Sequence, residues 1–253
     1  MASSEDVVGS AAGLEPEAAY QAFVDERHAR IMDQIAEACS RSGRELREVT
    51  AFAVSKTVGP REVVAAMRAG WDAFAENRPQ ELVRKLDAFA AAGVEAPRFD
   101  MIGNLQKNKI NQVLGRVERI QSISSLELAR AVSERAVRAG LVMPALLECN
   151  VSGEESKGGF SPDEVREQAE ELAGLEGLAF EGLMAMAPTH DPEAARATFS
   201  GARELACDLR SRMGLPLPVL SCGMSDDFGI AVEEGSTLVR LGRIAFSSEY
   251  GLK

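Results

Sequence analysis

Lys56 ends the run AFAVSKT (residues 51–57), where an apolar strand-like segment gives way to a loop. A lysine at such a junction presents its ε-amine at the mouth of a barrel, where partial desolvation lowers its pKa and makes it a nucleophile toward a carbonyl carbon. That is Schiff-base chemistry. Read alone, the segment also suits a lysine that ends a strand in water, so the amine needs partners. Two late segments supply candidates. In SCGMSDD (residues 221–227) the Ser225 hydroxyl could cap a helix running from Asp226 to Glu234 and leave its first amides for an anion. In LVRLGR (residues 238–243) Gly242 lets a phosphate approach the backbone between Arg240 and Arg243. A plain capped helix and a strand-end glycine explain either segment taken singly.

These residues can meet only if the fold brings distant strand ends together. The chain alternates short apolar segments with longer amphipathic ones, the βα grammar of a parallel sheet. Eight candidate strands are legible: 49–54, 72–75, 99–102, 119–122, 144–150, 179–184, 217–220 and 237–241. Helix punctuation agrees with them. Ser161 with Glu164, and Ser124 with Glu127, form capping-box patterns, and Asp191-Pro192 opens the longest late helix. Gly70, Gly93, Gly115, Gly140, Gly174 and Gly214 each follow an amphipathic run, where a left-handed glycine closes a helix. Residues 16–42 read as an extra helix ahead of the first strand. Eight βα units with a preceding helix predict an α/β fold, a single (β/α)8 TIM barrel with an extra N-terminal helix. An open doubly wound sheet would more often carry a GxGxxG turn after its first strand, and SKTVGP is not one. No linker divides the chain, so residues 16–253 read as one barrel domain and residues 1–15 as a disordered acidic tail.

Composition bounds the partners. A net charge of -11 and a pI near 4.9 oppose general affinity for nucleic acid or an anionic membrane. A small phosphate stays within reach, because backbone amides and a few placed donors can hold one in an acidic protein. Cys39, Cys149, Cys207 and Cys222 form no CxxC pair, and His28 and His190 are the only histidines, which disfavours a zinc site and a disulfide framework. No apolar run is long enough to span a membrane, and a cytoplasmic monomer is the expectation.

In a barrel the strand ends that carry loops share one face, and phosphate sites gather after the last two strands. There Lys56, Asn77, Asn104 and the loop from Asn150 to Gly159 would face Ser225, Arg240, Gly242 and Arg243. An amine opposite a phosphate cradle describes an aldehyde-bearing phosphate, and pyridoxal 5′-phosphate is the obvious candidate. Lys56 would form the internal aldimine, Ser225 and the amides of Gly242 and Arg243 would hold the phosphate, and Arg240 would point at the ring. An arginine beside the pyridine nitrogen keeps that nitrogen unprotonated, since a second positive charge there is costly.

With those segments in view the chain resembles the pyridoxal phosphate homeostasis proteins, single-domain barrels similar to the N-terminal domain of alanine racemase. AVSKT, AENRPQE, MIGNLQKNK, NVSGEESKGG, GLMAM, SCGMSDDF and GSTLVRLGRIAF carry the resemblance, in that order, from about residue 20 to the C-terminus. It implies that Lys56 is the Schiff-base lysine and that Ser225, Arg240 and Gly242 occupy cofactor positions. It also implies cofactor buffering or delivery to apoenzymes, without established turnover, because the second domain that brings a catalytic tyrosine to alanine racemase is missing. The chain departs from the pattern at Ala75, Pro79, Asp100, Cys222 and the terminal FSSEY. Asp100, where a histidine is frequent, and Ala75 leave the loops after strands two and three open.

Rival readings remain at this point: an amino-acid racemase or lyase with the same cofactor, an aldolase-like barrel in which Lys56 attacks a sugar phosphate, and a module that binds no small ligand. Lys157 reads as a flexible loop lysine or as a second amine near the cofactor. His190 is a surface-loop histidine or an acid–base group, Lys107 and Lys109 a solvated helix face, and Cys222 a buried thiol or an oxidation point beside Ser225. Met184 and Met186, two apart, belong to a barrel interior.

Overall fold

The computed structural model describes residues 13–154 and 157–251. Eight parallel strands close in sequence order, and β8 pairs back onto β1 through Thr50–Leu238 and Ala53–Leu241 registers. The elements run α1 Ala18–Arg41, β1 Thr50–Val54, α2 Pro60–Arg68, β2 Ala73–Glu76, α3 Pro79–Ala92, β3 Arg98–Met101, β4 Arg119–Ile123, α4 Leu126–Arg138 and β5 Met143–Glu148. They continue α5 Pro162–Glu167, α6 Ala169–Ala173, β6 Leu178–Met184, α7 Pro192–Met213, β7 Val219–Ser221, α8 Phe228–Glu233, β8 Leu238–Leu241 and α9 Arg243–Phe246. This is the (β/α)8 barrel, with α1 as the extra helix ahead of it.

Strand periodicity explains the layering. Alternate residues of each strand face opposite sides, so Ala53, Phe74, Phe99, Ile120, Leu147 and Leu183 pack outward into one large buried cluster with the helices, while Phe52, Val54, Ala73, Ala75 and Leu238 form a smaller one inside the barrel. The inner face also carries the buried polar residues Asp100, Gln121, Ser221 and Arg240.

Local signals place most boundaries and miss a few. Ser161 and Glu164 form the capping box, and Asp191 accepts the amide of Ala194 at 2.9 Å. At α4 the cap is Ser125, whose Oγ accepts the amide of Leu128 at 3.2 Å, one residue after the serine that the sequence suggested. Gly70, Gly93, Gly115, Gly140 and Gly214 have positive φ, but Gly174 closes α6 at φ -82°, as any residue could. After β3 the expected helix is replaced by a 3₁₀ turn over Lys107–Gln112, so Lys107 and Lys109 sit on that turn, with Lys107 paired to Glu127. Residues 1–12 of the expected tail lie outside the described residues. Of the remainder, Gly13 O accepts Arg61 Nε at 2.9 Å and Glu15 pairs with Arg68 at 2.9 Å.

Candidate functional site

A cavity of about 670 Å³ opens at the C-terminal ends of the strands. Loops after β1, β2, β3, β6, β7 and β8 line it, and Lys56, Asn77, Ser225, Arg240, Gly242 and Arg243 all reach it. Six residues scattered from 56 to 243 therefore share one cavity. Of the other polar residues expected on this face, Asn104 is exposed outside the lining, and Asn150 instead organises its own loop, donating to the carbonyls of Glu154 and Lys157 at 2.8 and 3.1 Å.

Lys56 is exposed at the cavity mouth rather than desolvated there. What lies behind it is buried and charged. Lys85 and Glu76 are both 0% exposed, and Lys85 Nζ donates to Glu76 Oε1 at 2.5 Å and to the carbonyl of Ser55 at 2.9 Å. Ser55 Oγ donates to the same Glu76 oxygen at 2.6 Å. The residue before Lys56 is thus held through both its hydroxyl and its carbonyl. This brace was missed in the sequence, although a signal was present: on α3 the buried stripe is Pro79, Leu82, Lys85 and Phe89, so the lysine occupies a core position of the helical repeat.

Gly103 was also missed as a site residue. A Cβ on it would stand 2.0 Å from the carbonyl oxygen of Asn77, which means that only glycine lets the β2 and β3 loops approach this closely at the cavity wall. Ile102 N donates to Glu76 O at 2.8 Å and Ser122 Oγ to Gly103 O at 2.6 Å, fixing the approach.

The β7 loop departs from expectation. No helix starts at Asp226: α8 begins at Phe228, and Asp227 Oδ1 accepts the amide of Met224 at 2.6 Å, turning the loop back before the helix opens. Ser225 Oγ instead accepts the amide of Ile244 at 3.3 Å, so it ties the β7 loop to the first turn of α9. Gly242 precedes α9, and a Cβ there would meet only Val54 at an ordinary 3.5 Å, so its value lies in backbone access and not in a tight fit. Arg243 pairs with Asp226 at 2.7 Å and lies over the Tyr250 ring at 5.2 Å, which holds its guanidinium at the rim. The Tyr250 hydroxyl donates to the same Asp226. Burial and that carboxylate push the phenol up to about 12.

Arg240 is 4% exposed and points inward from β8. Its Nη1 donates to Ser221 O at 2.7 Å and to Ser221 Oγ, and Nη2 to Ala185 O at 3.2 Å. Burial pulls its pKa down, while Cys222, Asp227 and Glu148 oppose that fall. Burial likewise pushes the Glu148 and Asp227 carboxyls up, Arg240 acting against both shifts. Arg240 thus brings a buried guanidinium to the cavity, with the Glu148 and Asp227 carboxyls among its charged neighbours.

Cys222 is buried, its thiol pushed up to about 12 by loss of solvent, and Cys149 is raised the same way. Both are core thiols in the protonated form. Lys157 is not a free loop amine: its side chain is 17% exposed and its Nζ lies 2.5 Å from Glu154 Oε2. Met184 and Met186 line the cavity, as does His190, exposed on its rim at φ 63°. Among the described residues no group of three or more His, Cys, Asp or Glu side chains could hold a metal ion, and no helix is long and apolar enough to cross a membrane.

Comparisons with known proteins agree with the barrel fold. Residues 30–249 match the family described as alanine racemase, N-terminal domain. A pyridoxal phosphate homeostasis protein of Aquifex aeolicus is 37% identical over 87% of this chain and 96% of its own length. A crystal structure of a Bifidobacterium adolescentis protein described as unknown superposes with a TM-score of 0.85 at 36% identity, covering 94% of this chain and all of its own. PipY of Synechococcus elongatus, solved with PLP bound, gives a TM-score of 0.74 at 29% identity over 84% of this chain and all of its own. The chain belongs to the alanine racemase N-terminal domain family, and with its relatives to the pyridoxal phosphate homeostasis proteins.

Proposed function

We propose that this protein holds pyridoxal 5′-phosphate as a Schiff base on Lys56 and buffers the free cofactor or delivers it to pyridoxal-phosphate-dependent apoenzymes in the cytoplasm, as a monomer. One observation carries the reading. A single cavity is lined by an exposed amine, Lys56, a buried guanidinium, Arg240, and a hydroxyl tied to a glycine turn, Ser225 beside Gly242. That donor set fits an aldehyde, a ring nitrogen and a phosphate on one small molecule. The PLP-bound PipY structure and the names of the relatives support the same ligand.

Bound there, pyridoxal phosphate supplies a reactive aldehyde on an electron-poor ring. Lys56, which reaches the cavity from the loop after β1, would be the amine that holds this aldehyde as a Schiff base. Arg240, with donors only, would present a hydrogen bond to the ring nitrogen and so favour that nitrogen unprotonated. Ser225 Oγ and the backbone at Gly242 and Arg243 would hold the phosphate, and Asn77 lines the same cavity as Lys56. The exposed position of Lys56 suits exchange, because water and a competing amine can reach the same bond.

Holding is favoured over turnover by the engagement of the tyrosines. Tyr20 donates to the Phe246 carbonyl at 3.3 Å and Tyr250 to Asp226, and neither lines the cavity. A racemase or lyase is the second reading, and the rim histidine His190 is the observation in its favour. Adding pyridoxal phosphate to the native protein is expected to generate a new visible absorption band that saturates at one cofactor per chain. In the same vessel, chiral chromatography after incubation with single L-amino acids is expected to show less than one turnover. No band removes the cofactor reading, and many turnovers replace holding with catalysis.

A further inference from the structure

A continuous line of buried polar groups crosses the barrel interior. From Arg240 at the ligand cavity, Nη1 donates to Ser221 Oγ, Ser221 Oγ donates to Gln121 Oε1 at 2.7 Å, and Gln121 Nε2 donates to Asp100 Oδ2 at 2.7 Å. The four side chains come from β8, β7, β4 and β3, and none of the four residues is more than 4% exposed. Asp100 lies at the far end, where with Arg119, Arg98 and Glu118 it lines a second cavity of about 310 Å³ beneath the strands.

The direction of this line is fixed by its ends. A guanidinium has only donors and an ionised carboxylate only acceptors, so Ser221 must receive from Arg240 and give to Gln121, and the amide must turn its nitrogen to Asp100. Nothing in the line is free to reverse while both ends are charged. A protonated Asp100 can itself donate, and the Gln121 amide then has a competing orientation that takes the acceptor away from Ser221. Buried networks of this kind hold their geometry when every member is satisfied and lose it when one member changes role.

We propose that Asp100 and Gln121 are positioning residues for Arg240, which transmit the ionisation of a carboxyl at one end of the barrel to the guanidinium that faces the ligand at the other. This rests on the cofactor reading above. The charges around Asp100 are Arg119 at 3.8 Å on β4, Glu118 just before that strand and Glu181 on β6, the last paired to Arg119 at 2.7 Å. Those around Arg240 are Glu148 on β5, Asp227 in the β7 loop and the Cys222 thiol. Burial raises Asp100 to about 6, which puts the change of role inside an accessible pH range. The sign follows: above that pH Asp100 is ionised and the line is in register, and as pH falls through it the line relaxes.

The test is a pH titration, from about 5 to 8, of the visible spectrum and cofactor affinity of the loaded native protein, D100N and Q121M, with thermal unfolding run beside each. The native protein is expected to show a spectral transition near pH 6 and affinity weakening about fivefold on the acid side, the worth of about one net hydrogen bond. Both variants are expected to lose that transition while remaining folded, Q121M binding about fivefold more weakly throughout. A transition unchanged in folded, loaded D100N and Q121M overturns the relay and leaves the cofactor reading standing. No band in the native protein at any pH overturns both.

Discussion

Replacing Lys85 with alanine is expected to cost about 3–5 kcal/mol of folding stability, the range for breaking a buried ion pair from one side. Glu76 and Lys85 are both wholly buried, so the variant strands a carboxylate with neither its counter-ion nor water. The position is already demanding, because Glu76 Oε2 has no hydrogen-bond partner among the described residues. The Ser55 carbonyl loses its Nζ donor in the same step. Denaturant unfolding monitored by the single tryptophan, Trp71, reads the effect. Removing both charges, with Glu76→Gln and Lys85→Met together, is expected to recover part of the loss, since no orphan charge remains. A loss below about 1 kcal/mol in Lys85→Ala would mean that water reaches the pair and that the brace behind Lys56 is weak.

The second large effect separates holding from folding. Lys56→Ala is expected to abolish the visible band formed with pyridoxal phosphate while changing stability by no more than about 0.5 kcal/mol, because Lys56 is exposed. Phosphate-dependent binding persists in weakened form through Ser225, Arg240 and the Gly242 turn. Titration of the variant by calorimetry with pyridoxal phosphate and with pyridoxal distinguishes the two contributions. A variant that keeps the band has its Schiff base elsewhere.

Much of this architecture was legible because strand and helix periodicities rarely conflict here. The eight strands, α1, and the caps at Ser161 and Asp191 follow from alternation and from side chains that reach the nearest free amide. Two of the errors came where two residues compete for one local job. Ser124 and Ser125 both precede α4, and only the backbone direction selects Ser125. Ser225 and Asp227 both precede α8, and the Asp227 carboxylate, by taking the Met224 amide, moves the helix start and frees Ser225 for α9.

The site divides along a similar line. That Lys56, Asn77, Ser225, Gly242 and Arg243 share one cavity with Arg240 could be anticipated, because the first five follow strands and Arg240 lies near the end of one, on the face where a barrel gathers its loops. The inner supports of the site could not, since Glu76–Lys85 and Asp100–Gln121–Ser221 depend on pairings across the barrel that sequence spacing does not encode. What could have flagged them was polarity out of place. Lys85 sits on an apolar helical stripe, and Asp100, Gln121 and Ser221 occupy inward positions of short strands. Each needed a partner to be buried at all, and the barrel supplied it from another strand or helix. Gly103 is similar: glycine at that position signals close backbone approach, but only the fold shows that the approach is to Asn77.

Whether Lys56 carries the cofactor can be read from the site of a trapped adduct. The native protein is loaded with pyridoxal phosphate, reduced with borohydride to fix any Schiff base, digested and mapped by mass spectrometry. One stoichiometric adduct is expected, on the peptide containing Lys56. An adduct on Lys157 or another lysine with Lys56 unmodified, or no adduct at all, would contradict that assignment.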